Sequence, residues 1–174
     1  MAKPVEFDQA TIAELAAAMN AGTLTAEKLM ELCLARIKAF DRAGPKLHAV
    51  ITLNPKALEE ARALDAERKA GKVRGPLHGI PVVLKDNFDT VEMPTTGGSV
   101  LLEGSIPPKD AFVVKKLRDA GAIIFAKVNL SEFAGGATYS SLGGQSLNPH
   151  DLARSPAGSS GGTGHWVNWM KLNR

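Results

Sequence analysis

Two stretches of this chain carry residues that could perform chemistry. The glycine-rich loop 155–164 holds the paired hydroxyls of Ser159 and Ser160, and Lys85 lies well upstream of it. Glycines let a backbone approach a substrate closely and leave neighbouring hydroxyl and N–H groups accessible. Lys85 follows the apolar run 80–84 and is a candidate for burial, which would favour the neutral amine that acts as a base. Because a lysine base beside a serine hydroxyl activates a weak nucleophile, these residues predict Ser–Lys chemistry.

The same residues also have simpler interpretations. Lys85 could be a solvated lysine at a strand end, and the two serines could belong to an ordinary flexible Gly/Ser loop. Asp86 and Asn87, which follow the lysine, either orient it or close a turn. Glu132 has no evident carboxylate partner and is interpreted as a structural hydrogen-bond acceptor.

Phosphate and metal sites are not indicated. The glycine-rich loop lacks the Gly-Lys-Ser/Thr ending of a P-loop and the G-x-G-x-x-G spacing of a dinucleotide site. The four histidines show no spacing suited to a metal ion, and one cysteine is not a cluster. We therefore expect no cofactor and no metal.

The charge pattern argues against a nucleic-acid partner. The formal net charge is +3, but the cations alternate with carboxylates and form no basic stripe, and aromatic residues make up only 5% of the chain. A nucleic-acid surface needs clustered cations, and single-stranded targets also need aromatic platforms. We therefore expect no nucleic-acid partner.

The compartment follows from the cysteine count and the apolar runs. The single cysteine, Cys33, lies among apolar residues of an expected helix and is interpreted as a buried structural thiol. The first residues contain no apolar core of a signal peptide, and no apolar run approaches the length of a membrane span. The sequence thus predicts a cytoplasmic protein without a membrane segment.

Periodicity predicts an α/β fold. Apolar residues at helical spacing predict helices over 11–19, from Thr25 to about Ala39, from Asn54 to near Gly71, and over 111–120 with Asp110 as its N-cap. Short apolar runs at 48–53, 80–84 and 122–126 predict strands. A helix between the last two strands is the crossover of a βαβ unit, so we expect those strands to be parallel. A polar segment as long as that from Asn129 to Gly164 is expected to be either functional or disordered.

Several motifs, in this order and spacing, closely resemble the amidase signature family of serine hydrolases. They are 75–87 (Gly-Pro-Leu-His-Gly-Ile-Pro-Val-Val-Leu-Lys-Asp-Asn), 95–99 (Thr-Thr-Gly-Gly-Ser), the helix and glycine of 110–122, 125–134 (Phe-Ala-Lys-Val-Asn-Leu-Ser-Glu-Phe-Ala), Asn148-Pro149 and 155–162 (Ser-Pro-Ala-Gly-Ser-Ser-Gly-Gly). The resemblance runs from about residue 8 to Gly164.

This resemblance implies the N-terminal part of the amidase-signature fold, a mixed sheet covered by helices. It also implies hydrolysis of carboxamides or esters by a Ser–cis-Ser–Lys triad. By position, Lys85 matches the catalytic lysine and Ser159 the bridging serine, which follows a cis peptide bond and relays a proton between lysine and nucleophile. Ser160 matches the second loop serine, which supports the hydrogen-bond network.

The chain departs from the family pattern at His165. The family's acylating serine lies further on, in a Gly-Ser/Thr-Asp-Thr/Ile-Gly-Gly-Ser-Ile/Val-Arg segment that also supplies oxyanion-hole N–H groups, and this sequence contains no such segment. We therefore expect three parts: an N-terminal helical part (1–72), an incomplete amidase-signature core (73–164) and a non-family tail (165–174).

Three hypotheses follow. The first is a truncated amidase or carboxylesterase, whose nucleophile would be Ser159 or Ser160 with Lys85 as base. The second is a non-catalytic fragment that self-associates, and the third is a fragment of the amidase subunit of a glutamyl-tRNA amidotransferase. Since the strands 80–84 and 122–126 would leave an open sheet edge that the apolar tail could cover, we also expect a homo-oligomer.

Overall fold

The computed structural model describes residues 10–136 and 138–164. The expected tail, 165–174, lies outside the described residues, as does the start of the chain. Helices and short strands alternate from Ile12 onward, as the periodicity predicts. No helix among the described residues is long and apolar enough to cross a membrane.

Three helices occupy the first part of the chain. They are α1 (Ile12–Asn20), α2 (Ala26–Arg36) and α3 (Ala57–Lys69), and α2 continues as a π-helix over Ile37–Arg42. The start of α1 is a capping box, in which the Thr11 hydroxyl accepts the Glu14 N–H and the Glu14 carboxylate accepts the Thr11 N–H. These two hydrogen bonds satisfy N–H groups at the start of the helix that have no partner within the helix itself.

The main sheet has three strands in the order β1–β3–β2: β1 (Val50–Leu53), β2 (Pro81–Lys85) and β3 (Ile123–Val128). β3 runs antiparallel to β1 and parallel to β2, which makes the sheet mixed. The helix α4 (Phe112–Asp119) connects β2 to β3, so the predicted βαβ crossover is confirmed. A second, two-stranded sheet pairs β4 (Tyr139–Ser140) with β5 (Gly144–Gln145).

One detail of the sequence prediction is wrong. Asp110 is not the N-cap of α4: that position is Ala111, and the Asp110 carboxylate instead accepts the Val91 N–H and pairs with Arg118. In the sheet, β3 is paired on both sides. Within the described residues, the outer strands are β1 and β2.

Alternation along β3 divides the core into two layers. Ile123 and Phe125 pack with the helices α1–α3, while Ile124 lies on the opposite face, beneath α4. All six residues of β3 are buried, as expected of a central strand covered on both faces. The larger layer also contains Cys33, which is 1% exposed, so its interpretation as a buried thiol is confirmed. Burial raises the pKa of this thiol to about 12.

Candidate active site

Lys85 lies where two parallel strands end at the same edge of the sheet. It is the last residue of β2 and pairs in register with Val128, the last residue of β3. The Phe88 N–H bonds the Lys85 carbonyl at 3.1 Å, which closes a turn around Asp86 and Asn87. The turn interpretation of these two residues is thus confirmed. In α/β sheets, ligands bind outside the carboxyl ends of such strands.

The glycine-rich loop returns to this edge and brings Ser159 to Lys85. The Lys85 Nζ donates a hydrogen bond to the Ser159 Oγ at 2.6 Å, and both residues are partly buried. The Gly158–Ser159 peptide bond is cis, the form that the resemblance implies for the bridging serine. The main-chain N–H of Ser131 bonds the Ser159 carbonyl at 3.0 Å, which ties the loop to the segment that follows β3.

Ser160 is placed differently. Its side chain is exposed and forms no hydrogen bond with another described residue, while its carbonyl accepts the N–H groups of Thr163 and Gly164 at 3.1 Å each. Those bonds belong to the helical turn 161–164. The structure therefore joins Lys85 to Ser159 and leaves the Ser160 hydroxyl apart from this pair.

Asn129 holds the loop in place through both its side chain and its backbone. Its Nδ2 donates to the carbonyls of His48 (2.9 Å) and Gly144 (3.2 Å), and its Oδ1 accepts the Ser140 hydroxyl at 2.6 Å. Its carbonyl accepts the Gly162 N–H at 2.8 Å. Asn129 belongs to the motif 125–134, but its role in holding the loop is not predicted from the sequence.

The approach of Gly162 is too close for any side chain. A Cβ at this position would lie 2.6 Å from both the Ala49 carbonyl oxygen and the Asn129 nitrogen, and both are backbone atoms that cannot swing away. Here glycine is required by space rather than by its backbone angles.

A buried ion pair lies beside the site. The Lys127 Nζ is 3.1 Å from the Asp86 Oδ1, and both side chains are 0% exposed. The same ammonium donates to the Pro94 carbonyl (2.9 Å) and to the Thr95 hydroxyl (2.8 Å). Burial lowers the pKa of Lys127, and the adjacent Asp86 carboxylate partly opposes that change. The motif 125–134 contains Lys127, but only the fold reveals its partner.

Glu132 accepts the Ser141 N–H at 2.7 Å. Hydrogen bonds from the Ser141 side chain and backbone hold the pKa of the carboxyl below its ordinary value. The interpretation of Glu132 as a structural acceptor is confirmed.

A cavity of about 360 Å³ opens next to the cis peptide bond. Gly158 forms part of its wall, and the remaining lining comes from the segments 136–147 and 152–155, including the polar side chains of Thr138, Gln145 and Arg154. Neither Lys85 nor Ser159 is among the residues that line this cavity.

Comparison with known proteins places these motifs in a family. The family model described as Amidase matches residues 28–169. The chain is 50% identical over 155 residues to a glutamyl-tRNA(Gln) amidotransferase subunit from Acidothermus cellulolyticus, an alignment covering 88% of this chain and 30% of that protein.

Solved structures agree. The native peptide amidase of Stenotrophomonas maltophilia superposes with a TM-score of 0.87 at 47% identity, over 91% of this chain and 34% of that one. A fatty acid amide hydrolase superposes with a TM-score of 0.86 at 26% identity, over 98% of this chain and 30% of that one. The chain thus spans about a third of the length of these relatives. With its family model, fold and motifs in agreement, it belongs to the amidase signature family.

Proposed function

We propose that this protein is a serine hydrolase that cleaves small carboxamides or esters, with Lys85 as the base and Ser159 as its hydroxyl partner. The observation that carries the proposal is the 2.6 Å contact between Lys85 Nζ and Ser159 Oγ. Family membership supports the reaction class.

The contact suits proton transfer in either direction. As a neutral amine, Lys85 accepts the Ser159 proton, and the alkoxide so formed either attacks a carbonyl carbon or takes a proton from a further serine that attacks instead. The family pattern assigns the attack to that further serine. Within these 174 residues, Ser159 is the hydroxyl that Lys85 contacts, so it is the expected nucleophile of this chain.

The tetrahedral intermediate then expels the leaving group, and water hydrolyses the acyl-serine. An amine must be protonated before it leaves, and the lysine ammonium supplies that proton. An activated alkoxide leaves without one. We therefore expect esters to react faster than amides on this chain.

A second candidate function is that of an amidase component in an amidotransferase. The similarity to the glutamyl-tRNA(Gln) amidotransferase protein, at 50% identity, is as high as that to the peptide amidase, at 47%. Such a protein would transfer an amide group in a reaction that involves tRNA, as one subunit of a larger enzyme. Turnover of glutamine that appears only with a partner protein would favour this candidate over a free-standing amidase.

A fluorophosphonate probe tests the proposed chemistry directly. We expect one adduct on Ser159, located by peptide mapping, and its loss in Lys85→Ala. Ser160→Ala is the matched control and should keep the label, because its hydroxyl lies apart from Lys85. A folded protein that stays unlabelled would contradict the proposal for this chain and favour a non-catalytic fragment.

We also propose that the chain forms a homo-oligomer. Within the described residues β1 and β2 are outer strands, and large apolar side chains such as Leu101 (85% exposed) and Phe112 (77% exposed) face solvent. Open strand edges and exposed apolar groups promote association. Light scattering that finds only monomers across a wide concentration range would contradict this.

A further inference from the structure

The side chains at the end of β2 point to two different faces of the sheet. Successive residues of a strand alternate, so Asp86 lies on the opposite face from Lys85. The parallel register pairs Leu84 with Lys127, which puts Lys127 on the same face as Asp86. The Asp86 N–H still bonds the Val128 carbonyl at 3.0 Å, so the ladder extends to this residue. The ion pair therefore lies on one face of the sheet at the end of β2, and the Lys85 side chain extends from the other face.

The ion pair also anchors the loop 94–98. Lys127 bonds the first two residues of this loop, and the Asp86 carboxylate accepts the Thr96 N–H at 3.2 Å and the Thr96 hydroxyl. The Asp86 carbonyl accepts the Gly97 N–H at 2.9 Å. Asp86 thus binds this loop through both its side chain and its backbone.

The loop 94–98 is also hydrogen-bonded to the segment that holds Ser159 in place. The carbonyl of Gly97 accepts the Phe133 N–H at 2.8 Å. Two residues before Phe133, the Ser131 N–H bonds the Ser159 carbonyl. Both partners of the Lys85–Ser159 contact therefore depend on the Asp86–Lys127 pair, one through the adjacent backbone and the other through this chain of bonds.

Charge gives the pair a second consequence. Asp86 follows Lys85 directly in the chain, and although its side chain lies on the other face of the sheet, an uncompensated buried carboxylate there would favour the Lys85 ammonium and oppose its action as a base. Lys127 cancels that charge at a distance of 3.1 Å. The other carboxylates that act on Lys127 are Asp89 and Glu92, and Glu92 is paired with Arg118.

We propose that Asp86 and Lys127 are positioning residues for the reaction. They hold the end of β2 so that Lys85 faces Ser159, and Lys127 neutralises the buried carboxylate of the residue that follows the base in the chain. The role of Lys85 as a base rests on the proposed function. The positions of Asp86 and Lys127 and the neutralisation of one by the other do not depend on it.

Competitive acetylation with acetic anhydride tests the charge balance on this chain without requiring hydrolysis. The rate at Lys85 is followed by mass spectrometry across pH, with the exposed Lys109 as internal control. In Lys127→Met, the uncompensated carboxylate should shift the acetylation of Lys85, relative to that of Lys109, to higher pH. In Asp86→Asn, the uncompensated ammonium should shift it to lower pH.

The double variant Asp86→Asn/Lys127→Met completes the cycle and should return Lys85 to the behaviour of the parent chain. Lys109 should not change in any variant. Replacing both members of a buried ion pair is often tolerated where removing one is not, so the double variant is expected to fold. If one single variant unfolds, as circular dichroism would show, the other single variant and the double variant still decide the outcome.

If Asp86 and Lys127 only stabilised the fold and did not affect the charge state of Lys85, the three variants would behave differently. Both single variants would then change Lys85 in the same direction, or the double variant would fail to restore it, and either result overturns the proposal. An intact charge cycle in a protein that never reacts with fluorophosphonate would contradict the proposed function alone.

Discussion

The helical layer and the glycine-rich segment of this molecule are stabilised in different ways. The helices α1–α3 pack on one face of the sheet through many apolar side chains, and Leu29, Met30 and Ile37 are each at most 2% exposed. The segment from Asn129 to Gly164 is held mainly by individual hydrogen bonds and by close backbone approaches at glycine.

The two regions differ in how far one contact can replace another. An apolar layer shares its free energy among many side chains, and a core of similar volume and pattern tolerates substitution. A hydrogen bond such as that from Gly162 to Asn129 joins two particular atoms, and a neighbouring residue cannot replace it. We therefore expect substitutions in the helical layer to lower global stability, and substitutions in the loop to disturb the site first.

The largest effect should come from Leu29→Ala. Leu29 is 1% exposed in the helical layer, and such truncations cost about 2–5 kcal/mol of unfolding free energy. Urea denaturation measures this loss. Leu101→Ala is the control, because this leucine is 85% exposed and its loss should change stability by less than about 0.5 kcal/mol. In the fraction that stays folded, fluorophosphonate labelling of Ser159 should be unchanged; a selective loss of labelling would contradict the separation of the two regions.

The next effect should come from Gly162→Ala. The added Cβ would meet backbone atoms at 2.6 Å, so the loop must move away from Asn129, at a cost of about 1–3 kcal/mol. Movement of the loop also separates Ser159 from Lys85, so labelling of Ser159 should fall more than stability does. Gly161→Ala is the matched control, since the nearest atoms to its Cβ would lie at 3.5 Å, an ordinary contact distance. Equal behaviour of the two variants would show that the close approach does not hold the site.

The same difference explains what could be predicted from the sequence. The helices and strands follow from apolar spacing, and the parallel pairing of β2 and β3 follows from the helix between them. Lys85 and Ser159 could be named because their motifs are distinctive. The partner of Lys127 could not, because Asp86 lies far away in the chain and meets it only through the register of two strands. The role of Asn129 depends on four segments meeting around one amide, which no local pattern records.

Asp110 shows a more local limit. An aspartate before an apolar helical pattern ordinarily predicts an N-cap. Its carboxylate instead bonds the Val91 N–H and Arg118, and the cap shifts by one residue to Ala111. The hydrogen bonds of the Asp110 side chain are therefore set by residues that are distant in the sequence, not by the adjoining helix.

The smallest expected effect is on the reactivity of the Cys33 thiol. Because this thiol is buried in the helical layer, its rate of reaction measures how often that layer opens. Burial raises the pKa of its thiol from 9.0 to about 12, so at pH 8 only about one thiol in ten thousand is ionised in the folded state. Reaction with a disulfide reagent at pH 8 should therefore be at least a hundredfold slower than in the unfolded chain.

The raised pKa also fixes the sign of the pH dependence of stability. The folded thiol keeps its proton more firmly than the unfolded one, so its contribution to stability is fully present below about pH 9 and is lost as the pH rises toward about 12. Leu29→Ala should speed the reaction of Cys33 at pH 8, because it weakens the layer that covers the thiol. Gly162→Ala should speed it less, since its effect is concentrated in the loop. If Gly162→Ala exposed Cys33 as readily as Leu29→Ala does, the two regions would unfold as one cooperative unit and the contrast between them would not hold.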